Sequence, residues 1–269
     1  MDFSVLMSLY HKESPDYLAL CLQSLSEQTL FPNEVLIVFD GPITASLEDT
    51  VRQWSARLPI NILRLENNVG LGPALNEGLK LCRHEVIFRM DTDDICHPLR
   101  FERQIEFLLN NPHVGLLSTW VGEFDKESDD VHSIKKIPIH HNEIVAFAKK
   151  RNPFNHMAVG YRKSAVLSAG AYQDDYLYED YALWVRMIKN GVVTANLPDV
   201  LVYARTGNGM EFRRGGLAYF LSELKVQYSF YKAGFTNVYE LIRNIAIRLP
   251  VRFVPGKFRK YIYRKFLRE

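Results

Sequence analysis

Short apolar runs alternate with segments of helical spacing over the first 98 residues. The runs have the length of strands and lie at residues 3–9, 34–39, 60–65 and 85–90. Between them, apolar side chains recur at helical spacing over residues 17–28, 44–57 and 73–82. Ser14 and Pro15 supply the N-cap and the first-turn proline of the first helix. Four strands that alternate with three helices predict βαβ units, a parallel sheet and right-handed crossovers.

The regular alternation ends after Pro98. We expect helices at residues 99–110, 142–150, 163–169 and 180–190, and strands at 114–120, 192–195 and 200–203. The polar segment 122–137 indicates a hairpin or a loop, and the helical pattern returns from residue 215. Because there is no internal repeat and no low-complexity linker, we expect one α/β domain over residues 1–210 and a helical extension over 211–269.

Composition places few limits on function. Of the 269 residues, 47% are hydrophobic and 24% are charged, as in soluble globular proteins, and the net charge of +2 indicates no particular partner. The three cysteines form no CxxC pair and are expected to be reduced thiols of a cytoplasmic protein. The N-terminal apolar run lacks a basic leader and no apolar stretch is long enough to cross a bilayer, so neither a signal peptide nor a transmembrane helix is expected.

Polar residues follow each of the four predicted strands. They are Ser8 and Tyr10, Asp40 with Gly41, Asn67 with Asn68 and Gly70, and the acids Asp91, Asp93 and Asp94. In open α/β sheets, ligands bind beyond the carboxyl ends of the strands, and parallel strands bring these ends to one edge. The four groups are therefore expected to converge on a single binding edge.

Two of these groups can also be interpreted in another way. Asp40 precedes Gly41 and Pro42 in a common turn composition, but its carboxylate can also accept hydrogen bonds from a nucleotide base or ribose. The Gly70-x-Gly72 segment follows the third strand, lacks a third glycine and is interrupted by Pro73, which argues against a dinucleotide-binding loop. We expect instead a flexible loop that closes over a ligand.

The segment RMDTDDICHP places three carboxylates within four residues. Capping of the following helix explains Asp94 and Asp93, but not Asp91 at a strand end. Side chains two apart on a strand point to the same side, so Asp91 and Asp93 can share a cation. Their oxygens suit Mg²⁺ or Mn²⁺, which proteins commonly share with substrate phosphates. We favour this cation site over capping, and leave Asp94 a capping role.

A second acidic pair, Glu179 and Asp180, opens a predicted helix. A favourable charge at the helix N-terminus explains the pair, and a carboxylate there can also act as a general base toward a hydroxyl group. His156 is explained equally well as a hydrogen-bonded polar residue beside a strand and as a substrate contact.

In order along the chain, these motifs resemble the inverting family 2 glycosyltransferases of the GT-A fold. The resemblance covers residues 3–203 and includes SVLMSLYHKES, NNVGLGPALNEGLKLCRHEVIFRMDTDD, HPLRFERQIEFL, NPFNHMAVGYRKS and YEDYALWVRM. The Asp-x-Asp motif alone is unspecific, whereas its combination with Glu-Asp-x-x-x-Trp-x-Arg downstream is specific. The chain is most similar to transferases of exopolysaccharide clusters such as those for amylovoran or colanic acid.

The resemblance implies a fold and an activity. The fold is a GT-A α/β fold with a mainly parallel central sheet, a nucleotide-sugar half at about residues 1–97 and an acceptor half at about 98–210. The activity is transfer of a sugar from a nucleotide-diphosphate donor, expected to be UDP-linked, to a hydroxyl of a growing, polyprenyl-linked surface polysaccharide. Direct displacement would invert the anomeric carbon, so no covalent nucleophile is needed.

The resemblance also implies roles for individual residues. Asp40 would hold the nucleotide base in a pocket lined by Ser8 and Tyr10, Asp91 would lie near the ribose, and Asp93 would bind Mn²⁺ or Mg²⁺. Asp180 would be the catalytic base, with Glu179 near the donor or acceptor and His156 near the donor phosphates. The family commonly has two acids before the glycine that follows strand two, and here the first of them is Phe39, which puts additional base or ribose contacts in doubt.

Two other functions stay open. A sugar-nucleotide pyrophosphorylase also uses a parallel sheet and metal-binding acids, but needs a glycine-rich, basic phosphate loop after strand one that SLYHKESPDY lacks. A non-catalytic carbohydrate-binding or membrane-binding protein with a transferase fold is disfavoured by the intact Asp91, Asp93 and Asp180.

The end of the chain is strongly basic. Residues 243–268 contain nine Lys and Arg residues and no acid, interleaved with Ile, Leu, Val, Phe and Tyr. Helices that pack on the catalytic domain explain this composition, and so do interfacial segments that bind an anionic membrane, which the absence of acids favours. The acidic site argues against nucleic acid. We expect a cytoplasmic protein, peripheral on the inner face of the cell membrane.

Overall fold

The computed structural model describes residues 1–206 and 216–253. The first part of the chain contains seven alternating elements: β1 (Phe3–Leu9), α1 (Pro15–Ser26), β2 (Glu34–Phe39), α2 (Ala45–Trp54), β3 (Ile60–Arg64), α3 (Leu71–Leu81) and β4 (Val86–Arg89). β1 pairs in parallel with β2 and with β4, and β2 pairs in parallel with β3. The predicted parallel sheet is confirmed for these four strands.

Local sequence explains why α1 begins where it does. The Ser14 side chain accepts a hydrogen bond from the Tyr17 N–H at 3.4 Å, and Pro15 occupies the first helical position. Such a cap satisfies one of the N–H groups that have no partner within the helix. The buried face of α1, which includes Leu18 and Leu22, packs on the sheet.

The second half adds shorter and more irregular elements. They are β5 (Ile95–Cys96), α4 (Arg100–Asn110), β6 (Val114–Phe124), β7 (Val131–Lys135), α5 (His141–Ala148), a 3₁₀ turn (His156–Ala158), β8 (Gly160–Arg162), α6 (Lys163–Ser168), α7 (Glu179–Lys189), β9 (Val193–Arg205), α8 (Leu217–Lys232) and α9 (Val238–Phe253). Among the described residues, the sheet has the order β3-β2-β1-β4-β8-β6-β9-β5, with β7 paired to β6. β8 is antiparallel to both β4 and β6, so this half of the sheet is mixed.

Three strands differ from the sequence prediction. β9 is one strand of 13 residues where two short ones were predicted. Its register with β6 jumps from Leu197 opposite Thr119 to Val200 opposite Trp120, which leaves Pro198 and Asp199 out of the ladder. Proline cannot donate a ladder hydrogen bond and is accommodated at such bulges. β5 and β8 have two and three residues, too few to give a periodic signal. The predicted hairpin over 122–137 is confirmed by the β6–β7 pair.

Helices cover both faces of the sheet and bury two apolar clusters. One cluster joins β1, β2 and β4 to α1, α2 and α4, and the other joins the opposite face to α3, α6 and α7. Trp184 of α7 is fully buried in the second cluster, where its ring meets that of Phe154 at 5.8 Å. α7, the helix that begins with Glu179 and Asp180, therefore packs in the hydrophobic core.

The two C-terminal helices pack on the rest of the fold. Phe230 of α8 lies edge-on to Tyr181 of α7 with ring centroids 4.8 Å apart, and Asn244 of α9 donates a hydrogen bond to the Lys149 carbonyl at 2.8 Å. The helical character predicted after residue 215 is thus confirmed as far as Phe253. The predicted boundary near residue 210 and the last 16 residues of the basic extension lie outside the described residues. Within the described part, none of the helices combines the length and apolar character needed to cross a membrane.

Candidate active site

The predicted convergence of strand ends is present in the structure. β1 runs parallel to β2 on one side and to β4 on the other, so Tyr10, Asp40 and Asp91 follow carboxyl ends that share one edge of the sheet. The strand order reverses between β1 and β4, the position at which open α/β sheets bind ligands. Ser8 lies one residue before the end of β1 and is half-buried.

Asp40 is buried and organises the loop after β3. Its Oδ1 accepts from the Val69 N–H at 2.7 Å, and its Oδ2 accepts from the Gly70 N–H at 3.1 Å and the Asn68 side-chain amide at 3.0 Å. Gly41 has a φ of +81°, and a Cβ there would lie 2.6 Å from the Asn68 nitrogen, so glycine is required for this close approach. Asp40 therefore holds the loop that is predicted to close over a ligand. Its contact with a nucleotide base stays a prediction.

The acidic segment after β4 lies beside a further carboxylate that the sequence did not indicate. Thr92 donates a hydrogen bond to Glu13 at 2.9 Å, which brings the end of the β1–α1 loop to this segment. Burial, followed by the charges of Asp91 and Glu13, raises the pKa of Asp93 to about 7. Asp91 is one-third exposed, with 34% of its side-chain surface accessible, and forms an ion pair with Arg89.

Asp94 does not cap α4, contrary to the sequence prediction. The residue before α4 receives no side-chain capping hydrogen bond. Asp94 is buried, and its Oδ1 accepts from the Arg205 N–H at 2.8 Å, at the end of β9. Burial, followed by the charges of Asp91 and Asp93, raises the pKa of Asp94 well above its usual range. Asp94 thus ties the acidic segment to a strand from the other half of the domain.

The Arg205 side chain makes further contacts between β9 and the acidic segment. Its guanidinium lies over the rings of Tyr17 and Phe124 at 3.9 and 4.6 Å, and its Nε donates to the Asp93 carbonyl at 3.2 Å. Arginine suits this position because a planar cation can stack on aromatic faces and donate hydrogen bonds at its edge. A basic residue at a strand end carries no signal that would have identified this role from sequence.

Arg89 is a buried cation beside the acidic segment after β4. It precedes Asp91 by two residues on β4, is only 2% exposed, and pairs through Nη2 with Asp91. Its Nε and Nη1 have no hydrogen-bond partner among the described residues. Burial raises the pKa values of Asp93, Glu179 and Asp180, and the Arg89 charge opposes the rise for each of them. The charge of Arg89 therefore acts on both acidic clusters, which are far apart in sequence.

Asp180 is held at the start of α7 by two hydrogen bonds. Its Oδ2 accepts from the Asn152 side-chain amide at 2.6 Å, and its Oδ1 accepts from the Tyr181 N–H at 2.6 Å. Burial raises the pKa of Asp180, and these two hydrogen bonds, Lys135 and Arg89 oppose the rise. A fixed carboxylate of this kind can accept a proton from a hydroxyl group.

Glu179 packs against the glycine-rich loop. A Cβ at Gly72 would lie 3.3 Å from the Glu179 Cβ, so the first turn of α3, which follows the loop that Asp40 holds, contacts the start of α7. Burial, followed by the neighbouring charge of Asp180, raises the pKa of Glu179. The structure thus brings the loop and both acids to one region.

His156 lies at the side of this region and is neutral near pH 7. Its Nε2 is 2.9 Å from the Tyr172 hydroxyl, and its ring meets those of Tyr172 and Trp184 at 5.7 and 5.9 Å. Burial, followed by the charge of Arg89, lowers the pKa of His156 well below its usual range. The residue can offer a hydrogen bond to a donor phosphate, but not a positive charge.

The carboxylates of the acidic segment suit a shared divalent cation. The described residues contain no group of three or more His, Cys, Asp or Glu arranged to hold a metal by themselves. Mg²⁺ commonly uses one or two carboxylates and completes its shell with substrate phosphates and water. Burial and the neighbouring carboxylates raise the pKa of Asp93, and the Oδ2 of Asp94 has no hydrogen-bond partner among the described residues. A cation bound nearby would offset the negative charge at both side chains. The residues therefore fit the predicted metal.

Comparison with known proteins agrees with this geometry. The family model described as Glycosyl transferase family 2 matches residues 4–174. The chain belongs to this family. A family 2 relative, the UDP-Gal:alpha-D-GlcNAc-diphosphoundecaprenol beta-1,3-galactosyltransferase of Escherichia coli, is 44% identical over 99% of this chain and 97% of its own length. The amylovoran biosynthesis glycosyltransferase AmsE of Erwinia amylovora is 44% identical over 98% of both chains.

Solved structures show the same fold. S. aureus TarS superposes with a TM-score of 0.67 at 19% identity, covering 91% of this chain and 71% of that one. The mannosyltransferase PcManGT of Pyrobaculum calidifontis, in complex with GDP-Man and Mn²⁺, gives a TM-score of 0.64 at 16% identity, covering 95% and 77%. The predicted GT-A fold and the family 2 glycosyltransferase class are confirmed. The roles of individual residues in this family 2 chain stay predictions.

Proposed function

We propose that this enzyme transfers a sugar from a UDP-linked donor to a hydroxyl of a saccharide carried on a polyprenyl diphosphate, with inversion at the anomeric carbon. The supporting observation is that Asp91 and Asp93 follow the β4 end, that Asp180 lies at the start of α7, and that the charge of the buried Arg89 acts on both sites. The Escherichia coli relative, whose name specifies a UDP-sugar donor and a diphosphoundecaprenol-linked acceptor, supports the substrate classes. Surface polysaccharide synthesis is supported by the amylovoran relative.

The donor side is assigned to the ends of β1, β2 and β4. Asp40, with the loop that it holds, forms the pocket for the base, and Ser8 and Tyr10 line it. Asp91 lies toward the ribose and Asp93 holds Mn²⁺ or Mg²⁺. When bound, the metal would neutralise charge on the diphosphate leaving group. His156, neutral near pH 7, is placed to donate a hydrogen bond to the donor phosphates.

The acceptor side is assigned to α7. Asp180 accepts the proton of the acceptor hydroxyl while that oxygen forms its bond to the anomeric carbon and the bond to the nucleoside diphosphate breaks. Asn152 and the Tyr181 N–H hold the carboxylate in one orientation. Burial raises the pKa of Asp180, which makes the ionised carboxylate a stronger base. Glu179 lies beside it, next to the loop over the donor.

The Asp180→Asn variant tests the base assignment. The amide cannot accept the proton, so we expect transfer to fall by about 10²–10⁴-fold. Donor binding, measured as the thermal shift given by UDP with Mn²⁺, should be unchanged, because Asp180 lies on the acceptor side. Asp93→Asn serves as the matched control and should lose the metal-dependent part of that shift. Transfer at the normal rate by Asp180→Asn would show that another group is the base.

A further inference from the structure

Buried polar side chains of α8 and α9 hold the residue that precedes the second acidic pair. Glu223 of α8 is 2% exposed, and its Oε2 accepts from the Tyr178 hydroxyl at 2.5 Å. The Glu223 Oε1 pairs with Nη1 of Arg248 on α9. Gln227 of α8 accepts from Asn244 of α9 at 2.9 Å, which joins the two helices. Because Tyr178 directly precedes α7, the start of that helix is held from both C-terminal helices.

α9 also holds the segment on the other side of Asp180. The Nη2 of Arg248 donates a hydrogen bond to the Lys150 carbonyl. Asn152, two residues further along, donates the 2.6 Å hydrogen bond to the Asp180 Oδ2. One guanidinium therefore contacts the segment that carries Asn152 and, through Glu223, the residue before α7.

The backbone just before α7 is strained. Leu177 has a φ of +67°, a positive value that residues other than glycine rarely adopt. Such a conformation persists only where the surrounding structure enforces it. The Leu177 side chain packs against the apolar cluster that includes Phe230 of α8, and the Tyr178 hydroxyl is bonded to Glu223. Loss of these contacts would let the backbone relax and would move the two acids that follow it.

Stability alone does not explain the ion pair between Glu223 and Arg248. Their side chains are 2% and 18% exposed. Removing two charges from water costs about as much as their attraction gains, so a pair of this kind adds little net stability. A planar guanidinium, however, donates in fixed directions and can hold a carboxylate and a carbonyl at the same time. The pair is therefore better explained by the geometry that it enforces.

We propose that Arg248 is a positioning residue for the proposed base. Through Glu223 and Tyr178 it holds the start of α7, and through the Lys150 carbonyl it holds the segment after α5. Together these contacts keep the Asp180 carboxylate in one orientation. This inference rests on the proposed function, in which Asp180 accepts the proton of the acceptor hydroxyl. Positioning matters for the rate, because a displacement of about 1 Å can slow a reaction about 10²-fold.

Hydrogen–deuterium exchange of the full-length protein tests the positioning without any substrate. Arg248→Met and Tyr178→Phe should each speed amide exchange of residues 179–185 about tenfold, because each removes a hydrogen bond to a charged group. Exchange within β1 should not change. Tyr178→Phe leaves the ion pair of Arg248 intact, so it decides the question if Arg248→Met does not fold.

The matched controls make the same substitutions at exposed positions. They are Arg52→Met, in an exposed ion pair of α2, and Tyr228→Phe, at a position of α8 that is 51% exposed. Both should exchange and turn over as the wild type does, because neither side chain contacts α7 or the segment after α5.

Turnover adds a measurement that a purely structural role would not change. The substrates are UDP-galactose and GlcNAc-diphosphoundecaprenol, taken from the name of the Escherichia coli relative. In both variants kcat should fall about tenfold to 10²-fold, while the KM for UDP-galactose and the thermal shift with UDP and Mn²⁺ should not change. The double variant should be no slower than Arg248→Met, because both substitutions break the same chain of contacts.

Four results would overturn the inference. The first is exchange at residues 179–185 that stays as slow as in the wild type, and the second is an equal rise in β1, which would indicate a loss of overall stability. The third is an unchanged kcat in a variant whose α7 start exchanges faster. The fourth is a double variant in which the two losses multiply. The proposed function fails separately, through normal turnover of Asp180→Asn, which leaves the exchange result unaffected.

Discussion

At the scale of single residues, Arg89 is a buried cation whose charge acts on both acidic parts of the site. Its guanidinium pairs with Asp91 and opposes the rise in pKa that burial causes at Asp180. A buried charge is costly unless it is paired, and here Asp91 is the ion-pair partner. The other ionisable groups that act on Asp180 or respond to its charge are Glu179, Lys135, Tyr172 and Tyr181.

The Arg89→Met variant should change the pH dependence of transfer. Without the cation, the pKa of Asp180 rises further, so the base is protonated over a wider acidic range. The acidic limb of the kcat/KM profile should therefore move to higher pH. Arg89→Lys keeps the charge and is the matched control, whose acidic limb should remain closer to that of the wild type. A profile of unchanged shape in Arg89→Met would limit Arg89 to a packing role.

At the scale of elements, α8 packs against α7, the helix that carries the proposed base. Phe230 is 3% exposed and packs edge-on against Tyr181, the residue after Asp180. Val226 and Phe235 complete the same cluster against α7. α8 lies beyond residue 210, the predicted end of the catalytic domain, and thus helps to position the proposed base. The pattern of apolar residues in the sequence did not predict this contact.

Truncation of this contact should destabilise the enzyme. Phe230→Ala removes a buried ring and should lower the free energy of unfolding by about 3–5 kcal/mol, measured by urea denaturation. Tyr228→Ala, on the same helix at a position 51% exposed, is the matched control and should change it by less than about 1 kcal/mol. Equal effects of the two substitutions would mean that the α7–α8 contact adds little to stability.

At the scale of the whole molecule, we propose that the basic extension binds an anionic membrane from the cytoplasmic side. Residues 254–269 lie beyond the described part of the chain and contain six Lys and Arg residues and four Tyr and Phe residues. The described α9 also carries exposed apolar side chains, at Val238, Tyr239, Ile242 and Ile247. Basic and aromatic residues together suit the headgroup region of a bilayer.

Vesicle flotation tests this proposal. Full-length protein should float with phosphatidylglycerol vesicles and remain in solution with phosphatidylcholine vesicles, because each Lys or Arg near an anionic surface contributes about 1 kcal/mol. Replacing Lys257, Arg259, Lys260, Arg264 and Lys265 by glutamine should remove most of the flotation while the thermal shift with UDP is retained. Equal flotation of the variant and the wild type would contradict a membrane role for the extension.

The sequence by itself determined the first half of the fold. Apolar runs, helical spacing and the Ser14-Pro15 start predicted the parallel order of β1 to β4 because these signals are local. The same signals predicted Asp40 and Asp91 at strand ends. The resemblance to the family implied that Asp180 is the catalytic base. The short β5 and β8 and the bulge in β9 were not predicted, since two or three residues carry no periodic pattern.

Only the tertiary structure decided how these residues work together. The Asp94 bond to Arg205 and the hydrogen bond from Thr92 to Glu13 depend on contacts between elements distant in sequence. The contact of α9 with the end of α5 likewise joins residues 95 positions apart. Local sequence patterns indicate which face of an element is buried. The residues that this face contacts, and the charges near them, are determined only when the elements pack.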